Sequence, residues 1–330
     1  MAMPTPLIVQ TRWDSARMAL LRACARPLQS GPPPWTLPHG VQSRIRVLWP
    51  REYQWVHSAR WADQVRDALQ AWVPVENASI PQPHKGTTVG VCVVDGREHQ
   101  VAFDLSDYPD FLDETAARTS LVTFKLQHRP GGYPFSNVLP GGYVPSSRAL
   151  YSVFPRLRRI RDRHRERFQV YGRFGLGFAS AIRARAVEAL EASPRVRFQG
   201  GGRRVHPLRH LEEVASAAVC LDLPGNGPFC FRLVDYLAVG ACVVAPPHQA
   251  RLPVPLEDGR HIVYCREDLS DLVDRCQELL DDPARRRAMV AESRAYFDRY
   301  LHHRQLGAYY LSHVLNAVEE GTASPGVREA

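Results

Sequence analysis

A regular alternation of two apolar patterns between Phe168 and Cys265 constrains the fold of this chain more than any other feature. Short β-rich runs, each the length of one strand, alternate there with segments of helical periodicity. The predicted strands are FQVYG, VRFQG, AVCLDL, ACVVAP and HIVYC, and the predicted helices between them cover residues 180–192, 210–217 and 231–239. Strands and helices joined by short connections form parallel sheets covered by helices. We therefore expect a Rossmann-like domain here.

The N-terminal half carries a weaker version of the same pattern. Apolar runs at 45–50, 90–94, 100–105 and 121–124 predict strands, and Trp61, Val65, Leu69 and Trp72 mark one face of a helix. A chain of 330 residues is also long enough for two hydrophobic cores. We therefore predict the α/β class with two Rossmann-like domains, over residues 41–150 and 151–304, preceded by an N-terminal appendage at 1–40.

Composition narrows the class of protein. Hydrophobic residues make up 45% of the chain and charged residues 23%, which is typical of a globular protein. No apolar run reaches the roughly 18–20 residues that cross a bilayer, so we expect a cytoplasmic protein, with peripheral membrane association left open. The seven cysteines are scattered, and neither C-x-x-C nor H-E-x-x-H occurs. The sequence therefore predicts no metal site.

The positive charge is carried almost wholly by arginine. The net charge is +8, and Lys85 and Lys125 are the only lysines. Seven arginines lie between Arg156 and Arg167. Two interpretations stay open for this run, a solvated helix face and a docking patch for a polyanion such as DNA, an anionic lipid or an anionic glycan.

Two loops at predicted strand ends are candidates for binding phosphate. Parallel sheets bind ligands at the carboxyl ends of their strands, where helix N-termini present free N–H groups. In the first loop Gly172 allows close backbone approach, while Arg173 supplies a cation next to Phe174. A purely structural turn is the alternative, since a glycine-rich loop alone is a weak signal.

The second loop begins at Pro224 and leads into a predicted helix. Gly225, Asn226 and Gly227 predict a tight turn, and Phe229 follows it. Arg232 and Asp235 are three residues apart, on one face of the helix. This spacing suits a nucleoside diphosphate, with Arg232 on the phosphates and Asp235 on the ribose hydroxyls. The alternative is an intrahelical ion pair.

The stretch FCFRLVDYLAVGACVV, followed by LPVPLEDGRHIVY, resembles the donor-binding region of GT-B glycosyltransferases, especially exostosin-like and group 1 enzymes. The resemblance covers residues 168–300. It implies two Rossmann-like domains facing a cleft, with a last helix at 305–330 that packs back on the first domain. It also implies transfer of a sugar from a nucleotide-sugar donor to an acceptor hydroxyl.

The same resemblance assigns roles to individual residues. Asp235 would hold the donor ribose, and Arg232 and Arg173 would contact the diphosphate, so that neither a metal nor a further cofactor is required. The sequence departs from group 1 enzymes at one position, since Gly227 stands where many of them have a second acid. This departure favours the exostosin-like pattern.

Candidates for catalysis lie in the N-terminal half. Asp104 and Asp107 lie at the end of a predicted strand and are candidate bases, although exposed loop acids are commoner. Lys125 ends another strand and is a candidate contact for the donor phosphate or the acceptor. His57 is a further candidate base, with simple packing beside Trp55 and Trp61 as the alternative.

Three other functions are alternatives to a sugar transferase of this kind. A DNA-directed glycosyltransferase acting on a modified base and a non-catalytic nucleic-acid-binding protein both fit the basic charge. No known nucleic-acid-binding signature accompanies that charge. A dinucleotide-dependent oxidoreductase is disfavoured, because the first strand and turn, IRVLWPREYQW, contain no glycine.

Overall fold

A computed structural model describes residues 13–20, 33–163, 166–202 and 205–322. Its contacts divide the chain into two compact units. Unit 1 comprises the described parts of residues 1–29, 145–248 and 256–298, and unit 2 those of residues 30–144, 249–255 and 299–330. Each unit contains its own sheet.

Unit 2 is built on a six-stranded sheet in the order β2-β1-β3-β4-β5-β6. Its elements in this part of the chain are α1 (Val41–Arg44), β1 (Ile45–Pro50), α2 (Ala59–Gln70), β2 (Val75–Ala78), β3 (Thr87–Val94), β4 (Arg97–Asp104), α3 (Glu114–Thr119), β5 (Val122–Lys125) and β6 (Val138–Pro140). Strand β3 runs antiparallel to β1 and β4, while the other neighbours pair in parallel. Asp95 and Gly96 join β3 to β4 with positive φ angles of 47° and 84°, as a two-residue hairpin requires.

Unit 1 is built on a fully parallel sheet of five strands in the order β11-β10-β9-β7-β8. Its elements are α4 (Leu150–Asp162), β7 (Phe168–Arg173), α5 (Ser180–Ala192), β8 (Phe198–Gly201), α6 (Pro207–Ala215), β9 (Ala217–Leu221), α7 (Phe231–Val239), β10 (Val243–Ala245), β11 (Val263–Tyr264), α8 (Leu272–Asp281) and α9 (Pro283–Tyr296). Residues 13–20 are also helical. The carboxyl ends of all five strands therefore lie along one edge of the sheet.

The last helix, α10 (His303–Thr322), follows a π-helical turn at Phe297–Leu301 and belongs to unit 2. It packs on α2 so closely that a Cβ at Gly307 would lie 2.0 Å from the carbonyl oxygen of Ala68. The Tyr309 hydroxyl donates to the Pro140 carbonyl oxygen at 2.7 Å. The Tyr310 ring lies 4.7 Å from that of Phe124, in the aromatic core of the sheet. Helix α10 is therefore part of the core of unit 2.

The predicted α/β class with two Rossmann-like sheets is confirmed, and the predicted helices at 180–192 and 231–239 match α5 and α7. The helix predicted at 210–217 was misplaced. It spans Pro207–Ala215, because Pro207 favours a first helical position, and Ala217 already opens β9. Strands β2 and β6 were missed, since VENA contains one large apolar residue and VLP lies in a turn-rich segment.

None of the helices in the described part of the chain combines the length and the apolar character needed to span a membrane.

Candidate active site

The carboxyl ends of β7 and β8 meet at two glycines. Gly172 pairs with Gly200 in the sheet, and a Cβ at Gly200 would lie 1.8 Å from the Gly172 carbonyl oxygen. Gly200 also has a φ of 146°, which side chains rarely adopt. The two glycines therefore allow β7 and β8 to approach closely at the edge where such sheets bind ligands.

Two arginine side chains are held beside this edge. Arg232, in the first turn of α7, donates from Nη2 to the Leu223 carbonyl oxygen at 2.9 Å and from Nη1 to that of Arg173 at 3.3 Å. Arg183, in α5, donates from Nε to the Pro224 carbonyl oxygen at 2.9 Å. The two guanidinium carbons lie 5.5 and 5.6 Å from the centroid of the Phe174 ring. Burial lowers the pKa of Arg183, and the charge on Arg232 lowers it further.

A chain of polar contacts fixes the orientation of Arg232. Its Nη2 lies 3.2 Å from Oδ1 of Asp222, whose Oδ2 lies 3.1 Å from Nε2 of His248. The other ring nitrogen of His248 lies 3.2 Å from the Tyr264 hydroxyl, and burial raises the pKa of Tyr264 to about 12. Asp222 follows β9, His248 follows β10, and Tyr264 ends β11. Sequence reasoning missed these three residues, and also Arg183, because their side chains meet only in the folded sheet.

Asp235 lies on the same helix as Arg232 but contacts different residues. Its side chain is buried, and its carboxylate accepts hydrogen bonds from the backbone N–H of Ser146, at 3.2 Å, and from the Ser146 hydroxyl. Burial raises the pKa of Asp235 to about 7. Asp235 is therefore hydrogen-bonded to Ser146, whereas Arg232 is paired with Asp222.

The predicted glycine turn lies next to Arg183. The Gly225 N–H donates to the Gly227 carbonyl oxygen at 3.0 Å, which closes a tight turn with Asn226 exposed at its tip. A Cβ at Gly225 would lie 3.4 Å from Arg183 Nη2. Phe229 is buried, with its ring 6.4 Å from that of His248. The turn therefore lies between Arg183, which is next to Gly225, and His248, which is near Phe229.

Arg173 contributes its backbone and its side chain in different places. Its carbonyl oxygen accepts from Arg232, while its Nε lies 2.8 Å from Oε2 of Glu213 in α6. The same carboxylate accepts from the Tyr171 hydroxyl at 2.8 Å and pairs with Arg209 at 3.2 Å. Although burial opposes ionisation, hydrogen bonds from Arg173 and Tyr171 lower the pKa of Glu213.

In unit 2 the structure brings two of the candidate catalytic residues together. Lys125 Nζ lies 3.2 Å from Asp104 Oδ1 and donates to the Ser106 hydroxyl at 2.7 Å. Asp104 and Lys125 are both fully buried. Burial raises the pKa of Asp104 and lowers that of Lys125. Asp107 is half-buried, and its charge acts on Lys125, whereas His57 is exposed.

The buried state of Asp235 makes stability depend on pH. Its pKa of about 7 lies above the unfolded value of 3.8, so the unfolded state ionises first as the pH rises. Between pH 5 and pH 8 this should lower the free energy of unfolding by about 3 kcal/mol. Asp235→Asn removes the ionisation, so this part of the pH dependence should vanish in urea unfolding curves. Equal pH dependence in both proteins would show that Asp235 ionises normally in the folded state.

Among the described residues, no group of three or more His, Cys, Asp or Glu side chains is arranged to hold a metal ion.

Comparison with known proteins bears on this edge of unit 1. A family model described as glycosyl transferase-like matches residues 156–312. Among solved structures, S. aureus TarM, a mutant in complex with fondaparinux, α-GlcNAc-glycerol and UDP, is 9% identical at a TM-score of 0.41. That match covers 63% of this chain and 49% of TarM, so the chain spans about half the length of that protein.

Anabaena HepE, in complex with UDP and glucose, is 13% identical at a TM-score of 0.38, with 68% of this chain and 71% of HepE covered. No curated protein sequence matches the chain. The family match confirms the resemblance seen in the sequence, and it includes β7 to α9 together with both arginines of the strand edge. Over residues 156–312 the chain is therefore similar to the glycosyl transferase-like family.

Proposed function

We propose that the chain moves a sugar from a nucleotide-sugar donor to an acceptor hydroxyl, with the donor diphosphate at the strand ends of unit 1. The observation that carries the proposal is the pair of guanidinium groups, Arg183 and Arg232, fixed beside the Phe174 ring at this edge. Arg232 is paired with the Asp222 carboxylate, whereas Arg183 donates to backbone carbonyl oxygens. The family similarity of residues 156–312 supports the same activity.

The chemistry follows from where charge develops. As the bond from the sugar to the diphosphate breaks, the departing nucleoside diphosphate gains negative charge. Cations that are already oriented stabilise that charge without reorganisation, and the N-terminus of α7 adds aligned N–H dipoles. Arg232 is suited to this role because three contacts, to Asp222 and to two carbonyl oxygens, hold its fork in place. A metal-independent reaction is therefore part of the proposal.

We further propose that Asp235 is the acid that binds the donor ribose, which requires its present hydrogen bonds to change. Both Ser146 hydrogen bonds occupy the carboxylate in the structure, so ribose hydroxyls would have to replace at least one of them. A hydroxyl–carboxylate hydrogen bond contributes about 1.5–3 kcal/mol, so this competition would measurably weaken nucleotide binding.

Ser146→Ala tests this competition. The substitution removes the hydroxyl and leaves the backbone N–H in place, so nucleotide should bind roughly tenfold more tightly. Asp235→Asn is the matched variant and should weaken binding. Titration calorimetry with the nucleotide checks both. Unchanged affinity in Asp235→Asn would exclude the ribose role, and weaker binding to Ser146→Ala would show that Ser146 assists binding.

A panel of nucleotides tests the proposal itself. A ligand that binds only the folded state raises its stability, by about 2.7 kcal/mol at a hundred times its Kd. Thermal unfolding should therefore shift selectively with one of UDP, GDP, ADP, dTDP, CMP or the corresponding nucleotide-sugars. If none of them shifts the transition, the donor site is not at this edge or not for a nucleotide-sugar.

For the acceptor we propose only its chemical class, and for the catalytic base only a set of candidate residues. A polyanionic acceptor, either DNA or an anionic lipid or glycan, is compatible with the net charge of +8. The family similarity supports the transferase over a non-catalytic nucleic-acid-binding protein. Asp104, Asp107 and Lys125 stay predictions as catalytic residues, and Asp107 is the one whose side chain is half-exposed. The cytoplasmic location also stays a prediction.

A further inference from the structure

Unit 1 contains a large open cavity beside the edge strand β8. Its volume is about 1180 Å³, above the roughly 300–1,000 Å³ of most small-molecule sites. Helix 13–20, α4, α6, β7 and β8 all contribute to its walls. The space can therefore hold a ligand larger than a single nucleotide.

Arginine dominates the lining of this cavity, which we call the arginine groove. Among the described residues, six arginines from distant parts of the sequence line it together with three carboxylates, which gives these side chains a net charge of +3. The arginines are Arg17, Arg156, Arg163, Arg167, Arg173 and Arg209. Like charges collected on a concave wall repel one another, and a bound anion relieves that repulsion.

Two of the three carboxylates of the groove are each shared between two arginines. Glu212 pairs with Arg17 at 2.6 Å and with Arg156 at 3.7 Å, so one negative charge serves two arginines. Glu213 is shared in the same way between Arg173 and Arg209. Each of these clusters keeps one positive charge in excess.

Arg163 and Arg167 form no ion pair with any residue in the described part of the chain. Arg163 follows α4 and is exposed, and Arg167 immediately precedes β7. Arg173 ends the same strand, and five residue steps of a strand span about 17 Å. Excess positive charge is therefore spread along the groove, over a length that one phosphate group cannot cover.

The groove has little with which to bind nucleobases. Phe168 is its one aromatic lining residue among those described, and the Arg167 guanidinium lies 5.7 Å from the centroid of that ring. Single-stranded nucleic acids are usually held by aromatic side chains on which successive bases stack. The lining thus favours contact with charged groups alone.

From these observations we infer that the arginine groove is a binding site for a linear ligand that carries several phosphate groups and is recognised through those phosphates. Arginine suits such a ligand because its planar fork donates two parallel hydrogen bonds to one phosphate. The site lies along β7, and its far end at Arg163 and Arg167 is separate from the strand edge that carries Arg232. As a binding site it does not depend on sugar transfer.

Long-chain inorganic polyphosphate is the probe that tests the inference. Its affinity for the full chain should fall as salt rises, since bound phosphates release counterions. Arg163→Glu/Arg167→Glu should weaken binding roughly thirtyfold or more and flatten the salt slope by about two units. Arg159→Glu/Arg266→Glu makes the same change in net charge at two exposed arginines of unit 1 outside the groove, and it should bind nearly as the unchanged protein does.

Several results would overturn the inference. Equal loss of affinity in the two double variants would mean that net charge alone attracts polyphosphate. Tighter binding of a single-stranded oligonucleotide than of polyphosphate would mean that bases are recognised. Failure of polyphosphate to bind would end the proposal outright.

Two controls separate this inference from the proposed function. Arg163→Gln/Arg167→Gln removes the two charges without reversing them, and it serves as the test if the charge reversal disturbs folding. Its affinity for polyphosphate should fall as well, but by a smaller factor. The thermal shift caused by a donor nucleotide should persist in both groove variants, because their substitutions lie away from Arg232. If a groove variant loses both the thermal shift caused by the nucleotide and the binding of polyphosphate, both ligands occupy one site. That result would contradict a separate groove.

Discussion

Lys125→Met is expected to destabilise unit 2 by about 3–5 kcal/mol, because it leaves the Asp104 carboxylate buried without its partner charge. The remaining contacts to that carboxylate would compensate little for the lost charge, since Oδ2 of Asp104 accepts no hydrogen bond in the described structure. Five of the six tryptophans lie in unit 2, so tryptophan fluorescence during urea unfolding reports on this unit.

The double variant Asp104→Asn/Lys125→Met is the matched control. Removing both charges together should restore most of the lost stability, since buried ion pairs contribute little more than neutral residues of similar volume. If Lys125→Met were as stable as the unchanged protein, Asp104 and Lys125 would not be a buried ion pair in solution. A stable double variant that still binds the donor nucleotide but has no transferase activity would support the catalytic role predicted for these residues.

Arg232→Gln should weaken binding of the donor nucleotide by roughly 10- to 150-fold. A hydrogen bond to a charged group contributes about 1.5–3 kcal/mol, and glutamine has neither the charge nor the planar fork of arginine. The effect should be largest for nucleoside diphosphates and small for the nucleoside, because the contact is with phosphate. Titration calorimetry with both ligands measures the difference.

The control for this variant must account for burial, since the Arg232 side chain is 13% exposed and pairs with Asp222. Arg232→Lys keeps the charge and should retain part of the affinity, while Arg159→Gln removes an exposed arginine of α4 and should have no effect. Equal affinity of Arg232→Gln for the diphosphate would contradict the phosphate role. Equal weakening for nucleoside and diphosphate would point to a general disturbance of the edge.

The sequence predicted the sheet of unit 1 well because its strands and helices alternate with short connections. The central strands β9 and β10 are buried apolar runs, and α5 and α7 were predicted at their observed bounds. Short edge strands carry little such signal, and β2 and β6 were missed for that reason. The close packing of Gly172 against Gly200 could not be seen in the sequence, because it depends on the register of β7 and β8.

The candidate site was predicted less completely. Arg232 and the glycine turn were found because they lie in one continuous segment that resembles a known family. Asp222, His248 and Tyr264 come from three separate strand ends, and no local pattern connects them. A search for polar residues near the carboxyl ends of the predicted strands would have found Asp222, within AVCLDL, and His248, two residues after ACVVAP. Ser146 comes from a segment whose composition predicts only turns, so its contact with Asp235 could not be foreseen.

Hydrogen exchange with the nucleotide selected by thermal unfolding tests the central claim most directly. Backbone amides exchange more slowly where a ligand stabilises the local structure. We predict slower exchange in the loops at 174–179 and 223–232, which follow β7 and β9 and contain no lining residue of the arginine groove, with little change in unit 2. Protection confined to unit 2 or to the arginine groove, or no protection at any amide, would contradict a donor site at this edge.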